Sequence, residues 1–339
     1  MTTVQTAPDV LTRARALVVP ALEDAVARLN DELRLPVEYH LGWRAPDGAP
    51  VAGRSGKFVR PALAVLSTEA AGAPAHVGVP GAVAVELLHN FSLVHDDVID
   101  RDAERRHRPT VWAQFGVATA VIAGDALLAL AHQTLLDQPG AGARVAARSL
   151  ACATTALIGG EADDMAFEQR LDVSVDECLE MAIGKTGALL ACASSIGVLL
   201  AEGGVELYEA LADYGLNVGL AFQAVDDILG IWGDPETTGK PTWSDLRDRK
   251  KTLPIAVALA SGHTGVDELR ALLGGDLLGD QEVARAAGLV EACGGRDETE
   301  RQARGFLAAA LDAIDDVEIP EPTRAELTDL ARFVVDRDF

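Results

Sequence analysis

Aromatic residues make up only 4% of this 339-residue chain. That shortage disfavours a sheet-based fold, because strands draw on aromatic and β-branched side chains; the dominant Ala, Leu and Val suit close-packed helices. Positive charge is also scarce. The 29 Lys and Arg stand against 52 Asp and Glu, a formal net charge of -23, which excludes nucleic acid as a general partner, since phosphate backbones are bound by an excess of Lys and Arg. An acidic chain that binds phosphates needs local basic clusters or bound cations. The four cysteines, Cys152, Cys178, Cys192 and Cys293, form no C-x-x-C pair and fall within apolar helical pattern. They read as buried small hydrophobes, not as a zinc site or disulfide framework. Long uncharged runs are lacking too: the longest without Pro, Thr186 to Ala201, has sixteen residues and ends at Glu202, whereas a bilayer span needs about 20. No basic, apolar leader pattern precedes Asp9. We expect a soluble cytoplasmic protein with no membrane span.

What is present is a 3.6-residue apolar period that recurs between Gly and Pro breaks. It predicts helices over 9–35, 58–71, 80–101, 111–136, 141–168, 175–201 and 206–231, then shorter ones over 253–260, 266–273, 280–293, 297–312 and 322–335. Ser174 followed by Glu177 reads as a capping box that starts one of them. "GDPETTGKP" reads as a loop. Residues 1–50, an initial helix and a Gly/Pro-rich loop, belong to the same domain as the core at 51–339. The expected architecture is all-α, a single-domain helical bundle.

Within it, "FSLVHDDVIDRDAERRHRPTVW" sets Asp96, Asp97 and Asp100 in an apolar stretch. On a helix Asp96 and Asp100 share a face and Asp97 flanks them about 100° around. Like charges that close cost stability unless a cation is present. A second instance, "FQAVDDILGIWGD", places Asp226 and Asp227 on another apolar helix. Facing carboxylates of this kind suit a hard divalent ion such as magnesium, which takes one or two protein carboxylates and completes its shell with water and substrate phosphates. The scarce cations, Lys57 and Arg60, Arg105 and Arg106, Lys185, Lys240, Lys250 and Lys251, fall mostly at helix ends or in loops. They are suited to gripping diphosphate directly. An apolar cavity lined by Phe91, Leu88 and Leu87 is expected between two such diphosphate pockets.

These ordered motifs resemble the polyprenyl (isoprenyl) diphosphate synthases, the trans-prenyltransferases, from about Gly56 to the C-terminal "FVVDRDF". "HDDVIDRDAERRHRPT" is similar to that family's first aspartate-rich motif, and "DDILGIWGDPETTGKPTWSDLRDRKKTLP" to its second region. The resemblance implies an isoprenoid-synthase helical bundle around a central cavity, a magnesium cofactor and a homodimer. It implies that Asp96, Asp97, Asp100, Asp226 and Asp227 bind magnesium on an allylic diphosphate. Arg105, Lys185, Lys240 and Lys250 would contact that diphosphate, and Gln223 would line the site. Gly56, Lys57, Arg60, His89 and Arg106 would form the isopentenyl diphosphate pocket. The implied reaction is ionisation of the allylic diphosphate, then attack by the double bond of isopentenyl diphosphate.

Three positions depart from the family pattern: Gly230 replaces the last carboxylate of the second motif, His107 follows the Arg pair where Gly is usual, and Glu161 stands where Gln is usual. An aromatic at Phe91, with small Ser92 beside it and no insertion in the first motif, resembles the short-chain members that make geranylgeranyl diphosphate. Two other readings stay open: a terpene cyclase on the same scaffold, and a catalytically silent subunit that binds prenyl diphosphate.

Overall fold

The computed structural model describes residues 8–51, 56–235, 242–275 and 279–335. Helices build almost all of it. They are α1 (Asp9–Val26), α2 (Asp31–His40), α3 (Val59–Ala70), α4 (Val79–Ile99), α5 (Val111–Phe115), α6 (Val117–Leu136), α7 (Ala141–Phe167) and α8 (Val175–Ala182). Then come α9 (Ala188–Leu200), α10 (Val205–Trp232), α11 (Ser244–Arg247), α12 (Leu253–Ala260), α13 (Val266–Gly274), α14 (Asp280–Ala292), α15 (Gly295–Ala313) and α16 (Glu321–Val335). One antiparallel pair, β1 (Glu104–Arg105) with β2 (Arg108–Pro109), interrupts the series in the register Glu104 to Pro109 and Arg105 to Arg108.

The all-α class agrees with the apolar period, and the predicted capping box is present: Glu177 N donates to Ser174 Oγ at 3.2 Å, and Ser174 N to Glu177 Oε2 at 2.9 Å. Three of the predicted helices are each broken. The stretch 9–35 divides because Asn30 caps a new helix by accepting from Leu33 N at 3.1 Å. The stretch 111–136 breaks at Gly116, whose φ of 90° a helix cannot contain. The stretch 175–201 is interrupted by a π turn at Ile183–Gly187, which carries Lys185.

The chain forms two compact units. The first comprises Met1–Thr154, Cys192–Ala212 and Asp316–Leu330. Its centre is α4, which packs against α6, α3 and α1 and buries side chains all round, from Gly81 through Leu88 and again at Asn90, Phe91, Ser92 and Val94. A helix apolar on every side is stable only inside a protein or a membrane. The second unit comprises Thr155–Ala191, Asp213–Asp315 and Ala331–Phe339. One cluster there gathers Ile231, Leu246, Ile255, Leu269 and Val290, and another gathers Phe167, Met181, Val225, Ala256 and Val335.

The expectation that no segment is long enough to span a bilayer needs correction. Ala75–Ile99, Val117–Leu136 and Val175–Leu200 are each long and apolar enough by length and composition. A count of uncharged residues misses them because charged residues interrupt all three runs, Glu86 in the first, Asp125 in the second and Lys185 in the third. In the first and third, most of the apolar window is buried inside the protein; in Val117–Leu136 only 39% is.

Candidate active site

In the first unit, α4 carries the first acidic motif at its C-terminal end. Adjacent helix residues point about 100° apart, so the Asp96–Asp97 pair is divided. Asp97 is 1% exposed, while Asp96 is half-buried and Asp100 exposed. Asp97 Oδ1 accepts from Arg105 Nε at 2.7 Å, and its Oδ2 is buried with no hydrogen-bond partner among the described residues. Burial raises the Asp97 carboxyl, with Arg105 opposing.

Arg105 is aimed by the β1–β2 hairpin. Its two central residues, Arg106 and His107, have φ of 53° and 60°, as a two-residue turn of this twist requires. Glycine takes that conformation freely, so His107 holds strained backbone at the position where the sequence departs from the family pattern. The surroundings hold the turn in place. Thr110 Oγ1 and Trp112 Nε1 both donate to Asp102 O at 2.9 Å, Tyr39 OH donates to Pro109 O at 2.8 Å, and Arg108 lies 4.4 Å above the Tyr39 ring.

Around the hairpin gathers a cationic cluster. A Cβ on Gly56 would lie 2.8 Å from Arg106 Nη2, so the bare backbone permits the guanidinium to approach. Arg15 Nη2 donates to Gly56 O at 2.5 Å. Lys57 is exposed beside it. Arg60 Nε is buried with no hydrogen-bond partner among the described residues, and burial, opposed by Glu86, pushes the Arg60 guanidinium down to about 10. Glu86 is itself raised by burial, and it accepts from Asn90 Nδ2 at 3.2 Å. Burial first, then Arg60, Arg106 and Arg105, hold His89 well below its ordinary value. His40 is pushed to about 3 by burial and by Arg105 and Arg106. The arrangement brings Gly56, Arg60, His89 and Arg106 of one expected pocket together, and Arg105, which the sequence reading assigned to the other diphosphate, lies in the same cluster. His40, Glu86 and Asn90 were missed. A carboxylate and an amide inside the apolar run "VAVELLHNF" were a legible sign of a buried polar network; His40 lies in no motif and carried no such sign.

In the second unit, α10 carries the second motif, again divided: Asp226 is exposed and Asp227 only 7% exposed. Both Asp227 oxygens are occupied, Oδ1 by Gln223 Nε2 at 2.7 Å and Oδ2 by Leu253 N at 3.0 Å. Gln223 Oε1 in turn accepts from Thr186 Oγ1 at 2.7 Å. Burial dominates Asp227 and raises it to about 8. Lys185, one residue before Thr186, sits in the π turn with Nζ 2.7 Å from Glu161 Oε2 and 2.5 Å from Asp164 Oδ2. Burial works against its charge, but Asp164 and Glu161 prevail and raise it. Such single π turns occur often at functional sites. Lys250 is half-buried and donates its N–H to Asp245 O at 2.9 Å. Lys240 lies outside the described residues.

The donor set fits magnesium rather than a softer metal: carboxylates only, one with an unpartnered buried oxygen. Among the described residues no three His, Cys, Asp or Glu side chains gather into a metal cage. Magnesium needs none when phosphates and water complete its shell.

Comparison with known proteins agrees with this chemistry. Residues 50–290 match the polyprenyl synthetase family model. A (2E,6E)-farnesyl diphosphate synthase of Mycobacterium tuberculosis is 50% identical over 332 residues, 97% of this chain and 92% of that protein. A geranylgeranyl diphosphate synthase of the same organism is 42% identical over 308 residues, 90% and 88% of the two chains. The crystal structure of a polyprenyl synthetase from Streptomyces coelicolor A3(2) superposes with a TM-score of 0.92 at 50% identity, covering 96% of this chain and 99% of that one. A geranylgeranyl pyrophosphate synthase from Corynebacterium glutamicum, complexed with isoprenyl diphosphate and magnesium, gives 0.84 at 26% identity, covering 98% and 100%. With a basic cluster, two acidic helices and these likenesses in agreement, the chain belongs to the polyprenyl synthetase family and is a prenyltransferase.

Proposed function

We propose that this prenyltransferase condenses isopentenyl diphosphate with an allylic diphosphate, releasing diphosphate and a short-chain prenyl diphosphate, with geranylgeranyl diphosphate as the product. Arg60 carries the reading. A half-buried guanidinium whose Nε is buried with no hydrogen-bond partner among the described residues, in one cluster with Arg105, Arg106 and two imidazoles held neutral, is undercompensated in a protein of net charge -23. Such a site favours a polyanion, which supplies the missing acceptors through charge-assisted hydrogen bonds. Isopentenyl diphosphate therefore takes the pocket of Gly56, Lys57, Arg60, His89 and Arg106, with His40 as an added wall.

Asp96, Asp97 and Asp100 of the first motif are proposed for magnesium on the allylic diphosphate, Asp97 through the oxygen left without a partner among the described residues; in the second motif Asp226 is the accessible carboxylate, and Asp227, with both oxygens engaged, braces it. When bound, magnesium neutralises charge that develops on the departing diphosphate. Lys185 supports the same leaving group once its hold on Glu161 and Asp164 is shared with phosphate oxygens. Apolar side chains of α4 keep water from the allylic cation. The double bond of isopentenyl diphosphate then forms the new C–C bond, and the proton lost in closing the product goes to the released diphosphate.

The two Mycobacterium relatives bear names of different product length, so the choice of geranylgeranyl diphosphate rests on Phe91. At 1.5 Å per residue it lies about 7.5 Å along α4 from Asp96. It is buried, with the His95 ring edge-on at 4.8 Å. His95 Nε2 lies 3.0 Å from Val121 O, which steadies that aromatic pair. Ser92, one turn before Asp96, is the small residue beside it.

The exposed Val117, Val121 and Ile122 of α6 form an apolar face that a second copy of the chain would cover; a cytoplasmic homodimer follows as part of the proposal. Purified protein with magnesium, isopentenyl diphosphate and each short allylic primer should release diphosphate and yield one prenyl diphosphate length. Hydrocarbon formed from a prenyl diphosphate alone would replace this reading with a cyclase. No turnover with any primer would replace it with a silent binding subunit. Sedimentation should give twice the chain mass.

A further inference from the structure

The second acidic motif ends on Gly230 where the first ends on Asp100. In the first, Asp96 and Asp100 stand four residues apart and share a helix face. Position 230 is the matching place relative to Asp226, and it carries no side chain of its own. The space is filled from elsewhere in the chain. A Cβ built on Gly230 would lie 2.0 Å from Asp245 Oδ2, 2.4 Å from its Cγ and 2.7 Å from its Oδ1. The Asp245 carboxylate thus occupies the volume where a side chain at 230 would begin. Cβ positions four apart on a helix face are neighbours, so Asp245 fills the place that a side chain next to Asp226 on that face would take.

Backbone contacts hold it there. Trp243, with φ of 64°, reverses the chain ahead of α11. Trp243 N donates to Ile231 O at 3.2 Å, and Ser244 Oγ to Gly230 O at 3.2 Å. Both acceptors belong to the last turn of α10, whose carbonyls lack helical partners. Lys250 N closes the far side by donating to Asp245 O at 2.9 Å. Asp245 and Asp226 both act to raise Asp227, so the three carboxyl groups share one neighbourhood.

We propose that Asp245 completes the second motif: its carboxylate, with that of Asp226, supplies the oxygen donors that the sequence loses at Gly230. Asp227 is then the strut of the set, both of its oxygens being engaged by Gln223 and Leu253. Gly230 is required because any side chain there would evict Asp245. The inference rests on the reading of this motif as magnesium-binding.

The test measures Mn2+ binding to the full chain in the presence of inorganic pyrophosphate, by water-proton relaxation, with a urea melt for each variant. Asp226→Ala and Asp245→Ala should each weaken binding by about 10- to 100-fold. Moving the carboxylate in the double variant Gly230→Asp, Asp245→Ala should recover most of that loss, which a merely structural role for Asp245 would not allow. Asp245→Asn serves in place of Asp245→Ala if the latter unfolds. Wild-type affinity in the Asp245 variant, or no recovery in the double variant, overturns the inference while leaving the magnesium reading intact. Equal binding by the wild type and Asp226→Ala overturns both.

Discussion

Gly159 and Gly160 are neighbours on α7 with opposite surroundings, and substituting each by alanine separates packing from helix propensity. Gly159 is exposed, and a Cβ there would meet nothing within 4 Å. Gly160 is buried, and a Cβ there would lie 2.3 Å from Lys185 N, 2.8 Å from Met181 O and 2.9 Å from Gly184 C. All three neighbours are backbone atoms, so no side chain can rotate away; to reach ordinary contact the π turn must retreat by about 1 Å. Overpacking of this kind costs about 1–3 kcal/mol, offset by about 1 kcal/mol gained when Ala replaces Gly in a helix. Gly160→Ala should therefore lose up to about 2 kcal/mol, whereas Gly159→Ala should gain about 0.5–1 kcal/mol. The same retreat moves Lys185, and a 1 Å misplacement of a site can cost about 100-fold in rate. Urea melts compared at constant slope give the first quantity, and kcat/KM with a fixed allylic primer gives the second. A Gly160→Ala protein as stable and as active as Gly159→Ala would refute the close contact of α7 with the Lys185 turn.

Three further outcomes are expected. His107→Gly should relieve the left-handed backbone in the hairpin and stabilise the protein by about 0.5–1 kcal/mol; an unchanged urea midpoint would show that the turn is not strained. His40 is neutral in the folded protein, pushed to about 3, while the unfolded chain takes up its proton near pH 6.5. Stability is therefore lost as pH falls below about 6.5, by about 1 kcal/mol between pH 6.5 and 5.5 for this group. His40→Gln should flatten the curve by that amount, and urea melts at the two pH values would show it; an identical pH dependence in the variant contradicts the burial argument. Phe91→Ala should lengthen the prenyl product on chromatography, and an unchanged length removes Phe91 as the floor of the chain-length pocket.

The helical class was readable from consecutive residues because an apolar stripe at 3.6-residue spacing is a property of the local chain. So was the Ser174 capping box, and so was the shared face of Asp96 and Asp100. The basic residues Arg60, Arg105 and Arg106 stood out because cations are few in so acidic a sequence.

Tertiary contacts decided the rest. Adjacent aspartates look equivalent in the sequence, yet packing buried Asp97 and Asp227 and left Asp96 and Asp226 accessible, because a helix turns neighbouring side chains to different surroundings. Asp245 meets Gly230 only where the chain folds back on α10, and His40 reaches the arginine cluster only because α2 lies against the hairpin through Tyr39. Spacing along the chain cannot encode such meetings, since they depend on where separate segments end once their apolar faces are buried.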